Sequence, residues 1–264
     1  MCVRHPTVTP VKIIMLGAGG TGSYIAMHLY RLLYCLDRRV RIIIADGDSV
    51  EKKNLVRQHF TAADLGQNKA KVLAERYASA FSMQAEYIPD FIEDKARLRE
   101  FVTPDNVPTD KKDGKAYANR GSYFNETVIL IGAVDNNKSR RLCNEVFYES
   151  DDLIYIDAGN GEFSGQVVCG IRRKGKTMYK PVGYVYPDIL EDTDKFPTEL
   201  SCAEASVSAP QTITANMTAA TVVVNLLYNI LVLGDNRVKT VSFSTKSVNV
   251  QPIAEIKRRR KSAE

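Results

Sequence analysis

The apolar run Val11-Lys-Ile-Ile-Met-Leu16 passes directly into Gly17-Ala-Gly19-Gly20-Thr-Gly22 and then into a helical pattern, and this junction constrains the fold more than any other stretch. A short apolar run that stops at glycines reads as a strand buried on both faces, hence a parallel strand. Thr21 to Cys35 reads as a helix, with Ile25, Ala26, Leu29 and Leu32 at helical spacing. The same rhythm then repeats. Val40-Arg-Ile-Ile-Ile-Ala45 is a second strand ending at Asp46, Asn68 to Phe81 a helix, Gln84 to Ile88 a strand, and Glu93 to Phe101 a short helix. Thr103 to Glu126 is polar and carries two prolines, which reads as a surface insertion. Thr127-Val-Ile-Leu-Ile131 is a strand running into Gly132-Ala-Val-Asp135-Asn136, Lys138 to Tyr148 a helix, and Leu153-Ile-Tyr-Ile156 a strand ending at Asp157.

Such β-α alternation predicts an α/β fold: a doubly wound, mostly parallel Rossmann-like sheet with helices on both faces. Ligands of these sheets lie beyond the carboxyl ends of the strands. Gly17–Gly22, Asp46 and Asp135 all fall there. The rhythm changes after Asp157. Gln166-Val-Val-Cys-Gly-Ile171 is a strand with no crossover helix before it, and Lys174 to Leu200 reads as a loop. Gln211 to Leu233 is a long helix, apolar nearly all round and so largely buried. Val238 to Ser244 and Val248 to Ile253 form a final hairpin. The expected organisation is a nucleotide-binding part over 1–160, an extension of the same domain over 161–256 that adds antiparallel strands and carries the acceptor surface, and a basic tail over 257–264.

At 264 residues and 44% hydrophobic, the chain can bury a substantial core. Its formal charge of +5 equals the five positives of Lys257-Arg258-Arg259-Arg260-Lys261, so the basic character belongs to the tail. That argues against nucleic acid as a partner. The five cysteines, Cys2, Cys35, Cys143, Cys169 and Cys202, form no CxxC pair, which argues against a disulfide framework and against zinc. With no signal peptide, the expectation is a reducing cytoplasm. The most apolar run, Ala219 to Leu233, is too short to span a bilayer and holds Asn225 and Asn229, so no membrane is expected.

The glycines Gly17, Gly19, Gly20 and Gly22 allow a tight turn whose helix N-terminus offers free N–H groups to phosphates. Asp46, ending the second strand, suits ribose hydroxyls; a turn-forming Asp beside Gly47 is the plainer alternative. Turn chemistry explains Asp48 equally well. Asn54, Arg57 and Gln58 stand at i, i+3 and i+4, on one face of a helical turn. Arg57 can fork onto phosphate oxygens and Lys69 can add a point charge, although each singly could be a solvated surface charge. Asp135 suits Mg²⁺ bound through phosphates, or, with Asn136, a helix N-cap. Cys202 precedes the long helix, as a nucleophile would, or as an inert buried thiol would.

Together, Gly17-x-Gly-Gly-x-Gly22, Asp46-x-Asp-x-Val-Glu51, Asn54-Leu-x-Arg57-Gln58, Asn68-Lys69-Ala70 and Asp135-Asn136 resemble the ThiF/MoeB/HesA family, relatives of ubiquitin-activating enzymes. Cys202-Ala-Glu-Ala205 extends the match, which looks most like the stand-alone ThiF-type proteins of plasmid-associated (PRTRC-type) or related bacterial operons. The resemblance implies transfer of AMP from Mg·ATP to the C-terminal carboxylate of a small ubiquitin-like (β-grasp) protein ending in glycine, with release of pyrophosphate. Asp46 would bind the ribose, Arg57 and Lys69 the phosphates with Asn54 and Gln58 nearby, and Asp135 the Mg²⁺. Cys202 would sit where some members carry a thiol that receives the activated partner. The family usually forms homodimers, some completed by an N-terminal arginine reaching across, for which Arg4 is the candidate here. Two rival readings stay open: an NAD-dependent oxidoreductase, which would use the glycine turn and Asp46 equally well but has no need of Arg57, Gln58 and Lys69, and a non-catalytic nucleotide-binding scaffold.

Overall fold

The computed structural model describes residues 3–4, 9–105, 126–191, 193–200 and 210–253. The centre of the polar insertion, Cys202 and the basic tail lie outside them. A short strand β1 (Val3–Arg4) pairs antiparallel with β9 (Asp235–Asn236), away from the main sheet.

The main sheet holds β2 (Val11–Leu16), β3 (Val40–Ala45), β4 (Tyr87–Ile88), β5 (Thr127–Gly132), β6 (Leu153–Asn160), β7 (Ser164–Arg173), β8 (Lys176–Tyr179), β10 (Thr240–Ser244) and β11 (Asn249–Pro252). Its order is β11-β10-β7-β6-β5-β2-β3-β4, with β8 paired to β7. From β6 to β4 all neighbours run parallel. From β7 outward they run antiparallel. Within the parallel half, β2 lies between β3 and β5, so its neighbours on the two sides continue the chain in opposite directions. The carboxyl ends of β2 and β5 therefore flank the crevice where such sheets bind ligands.

Alternation along the central strands feeds two cores, as strands covered on both faces require. Ile13, Met15, Ile42, Ile44, Ile129 and Ile131 join the core that contains α1 (Gly20–Tyr34), α2 (Lys69–Ala80) and α7 (Ile213–Leu231). Ile14, Leu16, Ile43, Ala45 and Leu130 face the opposite core, with α3 (Lys95–Val102) and α4 (Asn137–Glu149).

Three sequence expectations change. The strand expected from Gln84 shrinks to the two residues of β4. Lys174 to Leu200 is not simply loop: it contains β8, the single-turn helices α5 (Val182–Val185) and α6 (Asp188–Glu191), and a 3-10 helix at Pro197–Glu199. None of these is long enough to print a periodicity. The long helix α7 is half buried, packing on α1, β6 and β7 while exposing Ile213, Met217 and Tyr228. Its 19 residues are enough, by length and composition alone, to cross a membrane, a test that a core helix also passes. Here its buried half is part of the core.

Candidate active site at the sheet switch point

The glycine turn is built by close backbone approach. Gly17 has φ +94°, and a Cβ there would stand 2.4 Å from the Ala133 carbonyl oxygen. A Cβ at Gly22 would stand 2.1 Å from the Gly17 carbonyl oxygen, so this glycine seats the helix on the turn. A Cβ at Gly19 would meet nothing nearer than Gln58 Nε2 at 3.9 Å. That side faces open space. Asn68, Asp94, Asn136 and Thr212 cap α2, α3, α4 and α7 with their side chains, whereas α1 has Gly19 at its N-cap, with no side-chain cap and no acid in its first turn. Its N–H groups and positive dipole end stay available to an anion.

The turn opens on a cleft of about 690 Å³ lined by Gly17, Gly19, Gly20, Asp46, Asp48, Asn54, Arg57, Gln58, Lys69, Asp135 and Asn136. These eleven come from five separate stretches of chain. Gly22 does not reach the cleft, because it is spent on packing against Gly17. Cys202 lies outside the described residues.

Asp46 is buried, and its two oxygens accept from the backbone N–H groups of Ala18 (2.6 Å) and Asp48 (2.8 Å). Each carboxylate oxygen keeps a second lone pair for a ligand hydroxyl. Burial pushes this carboxyl up to about 6; Lys69 opposes the rise and Asp48 adds to it. Lys69, itself buried, donates to Asp48 at 2.7 Å. Half-buried Arg57 donates to Gln211 at 2.7 Å. Lys53, missed in the sequence, brings a further cation to the cleft and pairs with Glu51 at 2.9 Å. The Asn54–Gln58 segment is not the α-helical turn that the i, i+3, i+4 spacing suggested. Lys52–Val56 is a 3-10 helix, and Arg57 leaves it with φ −138°. Asn54 fixes this turn, accepting from the Glu51 N–H at 2.8 Å. Gln58 is buried with its Oε1 unpartnered. Asp135 is exposed and makes no hydrogen bond or ion pair among the described residues. Asn136 serves as the cap of α4, accepting from Ser139 N at 2.7 Å.

The far wall was largely invisible in the sequence. Thr21 donates to Asn160 at 2.9 Å, Asn160 donates to Asn216 at 2.8 Å, and Asn216 donates to the Arg57 carbonyl at 3.3 Å. This chain of bonds ties α1, β6, α7 and the Arg57 turn together. Asn216, one of three asparagines within the apolar helix α7, carries no local signal that sets it apart from Asn225 and Asn229. Phe91 and Ile92 add an apolar wall beside Asp46, and Arg140 and Gln166 line the opposite end.

The fold recurs in solved structures. PaaA aligns at 17% identity and TM-score 0.59, over 91% of this chain and 62% of PaaA. E. coli MccB with ATP aligns at 17% identity and TM-score 0.61, over 92% of this chain and 63% of MccB. The E. coli MccB structure with AMPCPP and MccA gives the same values. The chain thus spans less than two thirds of the length of the structures it matches. No curated protein sequence matches it. The ThiF family signature, by contrast, covers residues 7–264. With a parallel sheet, an uncapped glycine turn and a cation-lined cleft at its switch point, this chain belongs to the ThiF family.

Proposed function

We propose that this chain is an ATP-dependent adenylyltransferase of the ubiquitin-activating type. The observation that carries the reading is a single cleft in which an uncapped helix N-terminus faces Arg57, Lys69 and Lys53 while a buried carboxylate, Asp46, waits at the next strand end. In the reaction, an acceptor carboxylate attacks the α-phosphorus of ATP. A carboxyl-to-phosphorus C–O–P linkage forms, the bond from the α-phosphorus to the bridging oxygen breaks, and pyrophosphate leaves with that electron pair. A carboxylate is already a nucleophile, so the protein's work is alignment and neutralisation of the charge gathering on pyrophosphate. The phosphates would displace Gln211 from Arg57 and compete with Asp48 for Lys69.

Among the described residues no cluster of three or more His, Cys, Asp or Glu side chains forms a metal cage. Mg²⁺ on a nucleotide needs only one or two carboxylates besides phosphate oxygens and water, and the unpartnered Asp135 fits that donor set. Mg²⁺ would supply charge neutralisation on the phosphates. The acceptor in this proposal is a small ubiquitin-like protein ending in glycine, received on the surface carried by residues 161–256. Cys202 would take part only in a later transfer. E. coli MccB, solved with AMPCPP and MccA, supports a nucleotide and a partner sharing such a fold. A homodimer belongs to the same proposal, supported by the exposed Ile213, Met217 and Tyr228 of α7; a monomer mass in sedimentation would remove it.

Titration calorimetry with ATP and with NAD tests the core reading. ATP is expected to bind with Mg²⁺ present and NAD to give no heat; tight NAD binding without ATP binding would replace the adenylyltransferase by an oxidoreductase. Asp46 adds a pH dependence. Ribose hydroxyls donate to its ionised form, so ATP affinity should fall as pH drops through about 6, where the buried carboxyl takes a proton. For stability the sign is opposite. A carboxyl whose folded value is raised binds its proton more tightly when folded, so its burial penalty is relieved as pH falls from about 6 toward the unfolded value of 3.8. Phosphate titration is common to the native protein and Asp46→Asn and cancels between them. A native affinity profile parallel to that of Asp46→Asn between pH 7 and 5 would refute the role.

A further inference from the structure

Beneath the Asp135 loop lies a buried ionic group that the chemistry above leaves unused. Asp157, at 1% side-chain exposure, accepts from the Tyr155 hydroxyl at 2.8 Å through one oxygen. Its other oxygen has no hydrogen-bond partner and faces Arg140 Nε, likewise unpartnered, at 3.4 Å. Gly132 makes room for the pair: a Cβ there would come within 3.1 Å of Asp157 Oδ2 and 3.3 Å of the Tyr155 hydroxyl. A buried carboxylate with an unpartnered oxygen is expensive, and burial accordingly raises its pKa. Its placement directs one guanidinium. Arg140 Nη2 donates to the Val134 carbonyl at 2.7 Å, and Nη1 donates to Asn137 Oδ1 at 3.0 Å. Asp135 stands between those two anchors and has no bond of its own among the described residues.

We infer that Arg140, held by Asp157 and Tyr155, is a positioning residue that fixes the 134–137 loop and so places the Asp135 carboxylate in the cleft. The inference rests on the adenylyltransferase reading for its purpose, though not for its geometry. A planar guanidinium can hold two points at once, whereas a lysine in its place keeps the charge and loses the fork.

The test combines amide hydrogen exchange over 134–137 with calorimetry of ATP in the presence and absence of Mg²⁺, on the native protein, Asp135→Ala, Arg140→Lys, Asp157→Asn and Tyr155→Phe. Arg140→Lys and Asp157→Asn are expected to speed exchange in that loop about tenfold and to lose about tenfold of Mg²⁺-dependent ATP affinity, as supports behind a ligand do. ATP affinity without Mg²⁺ should stay within about twofold, and Tyr155→Phe should show the same pattern more weakly. Unchanged loop protection, or equal loss of ATP affinity with and without Mg²⁺, would overturn the inference and leave Arg140 a purely structural residue. If the native protein binds no ATP, the proposed function falls, and loop protection alone still judges the clamp.

Discussion

Arg57→Ala is expected to lower ATP–pyrophosphate exchange by about 10²–10³-fold, the usual loss when one preorganised donor to developing charge is removed. Among the described residues the Arg57 side chain has one modest tie, its bond to the neutral Gln211. The surrounding turn is held by other groups: Asn54 accepting from the Glu51 N–H, and Asn216 donating to the Arg57 carbonyl. The fold should therefore survive the truncation, with melting within a few degrees of the native protein, while the leaving pyrophosphate loses its fork. Arg57→Lys restores charge without bidentate geometry and should recover only part of the rate. Exchange within twofold of native in Arg57→Ala would remove this residue from the phosphate site.

Gly22→Ala is expected to have the largest effect on stability. The added methyl would lie 2.1 Å from the Gly17 carbonyl oxygen and 2.9 Å from its carbon, both backbone. Gly17 cannot give way. Its N–H bonds the Ala45 carbonyl at 2.9 Å, and the place a Cβ of its own would take is filled by the Ala133 carbonyl. Either α1 shifts off the sheet or the turn opens, at about 3 kcal/mol or more. In a chain of this size that lowers the melting temperature by about 6–12 °C, or prevents folding at 37 °C. Gly19→Ala is the control, since its methyl would meet only Gln58 at 3.9 Å: it should fold normally and lose nucleotide affinity, because the methyl would enter the space proposed for the phosphates. A thermal melt of Gly22→Ala matching the native one would show that the turn has slack that these distances deny.

The parallel half was legible because its signals are local. Buried parallel strands print continuous apolar runs, and β2, β3 and β5 each do so. Glycines and acids at the strand ends then mark the crevice without knowledge of the distant chain. The far wall could not be read this way. Arg140 sits in a charged helix and Asp157 at the end of an apolar strand, and nothing in the sequence says that they meet. Asn216 lies among threonines and alanines whose pattern reports only burial. The antiparallel strands β7, β10 and β11 were visible as strands, but their partners are set by tertiary packing. The Arg57 turn differs in geometry from what its spacing predicts: its residues converge through a 3-10 helix closed by the Asn54 side chain on the Glu51 N–H, where the i, i+3, i+4 spacing predicts an α-helical turn.

The bonds that join Thr21 to Asn160 and Asn216 to Arg57 span 139 and 159 positions of the chain. A nascent polypeptide emerging from the ribosome has its glycine turn and Asp46 long before α7 exists to brace them. Closure over such separations comes late, since loop entropy must be overcome before these contacts reward it. On the proposed function, the grip on a nucleotide would therefore depend on the late-arriving α7, and nucleotide present during synthesis would favour molecules that have closed these contacts by mass action.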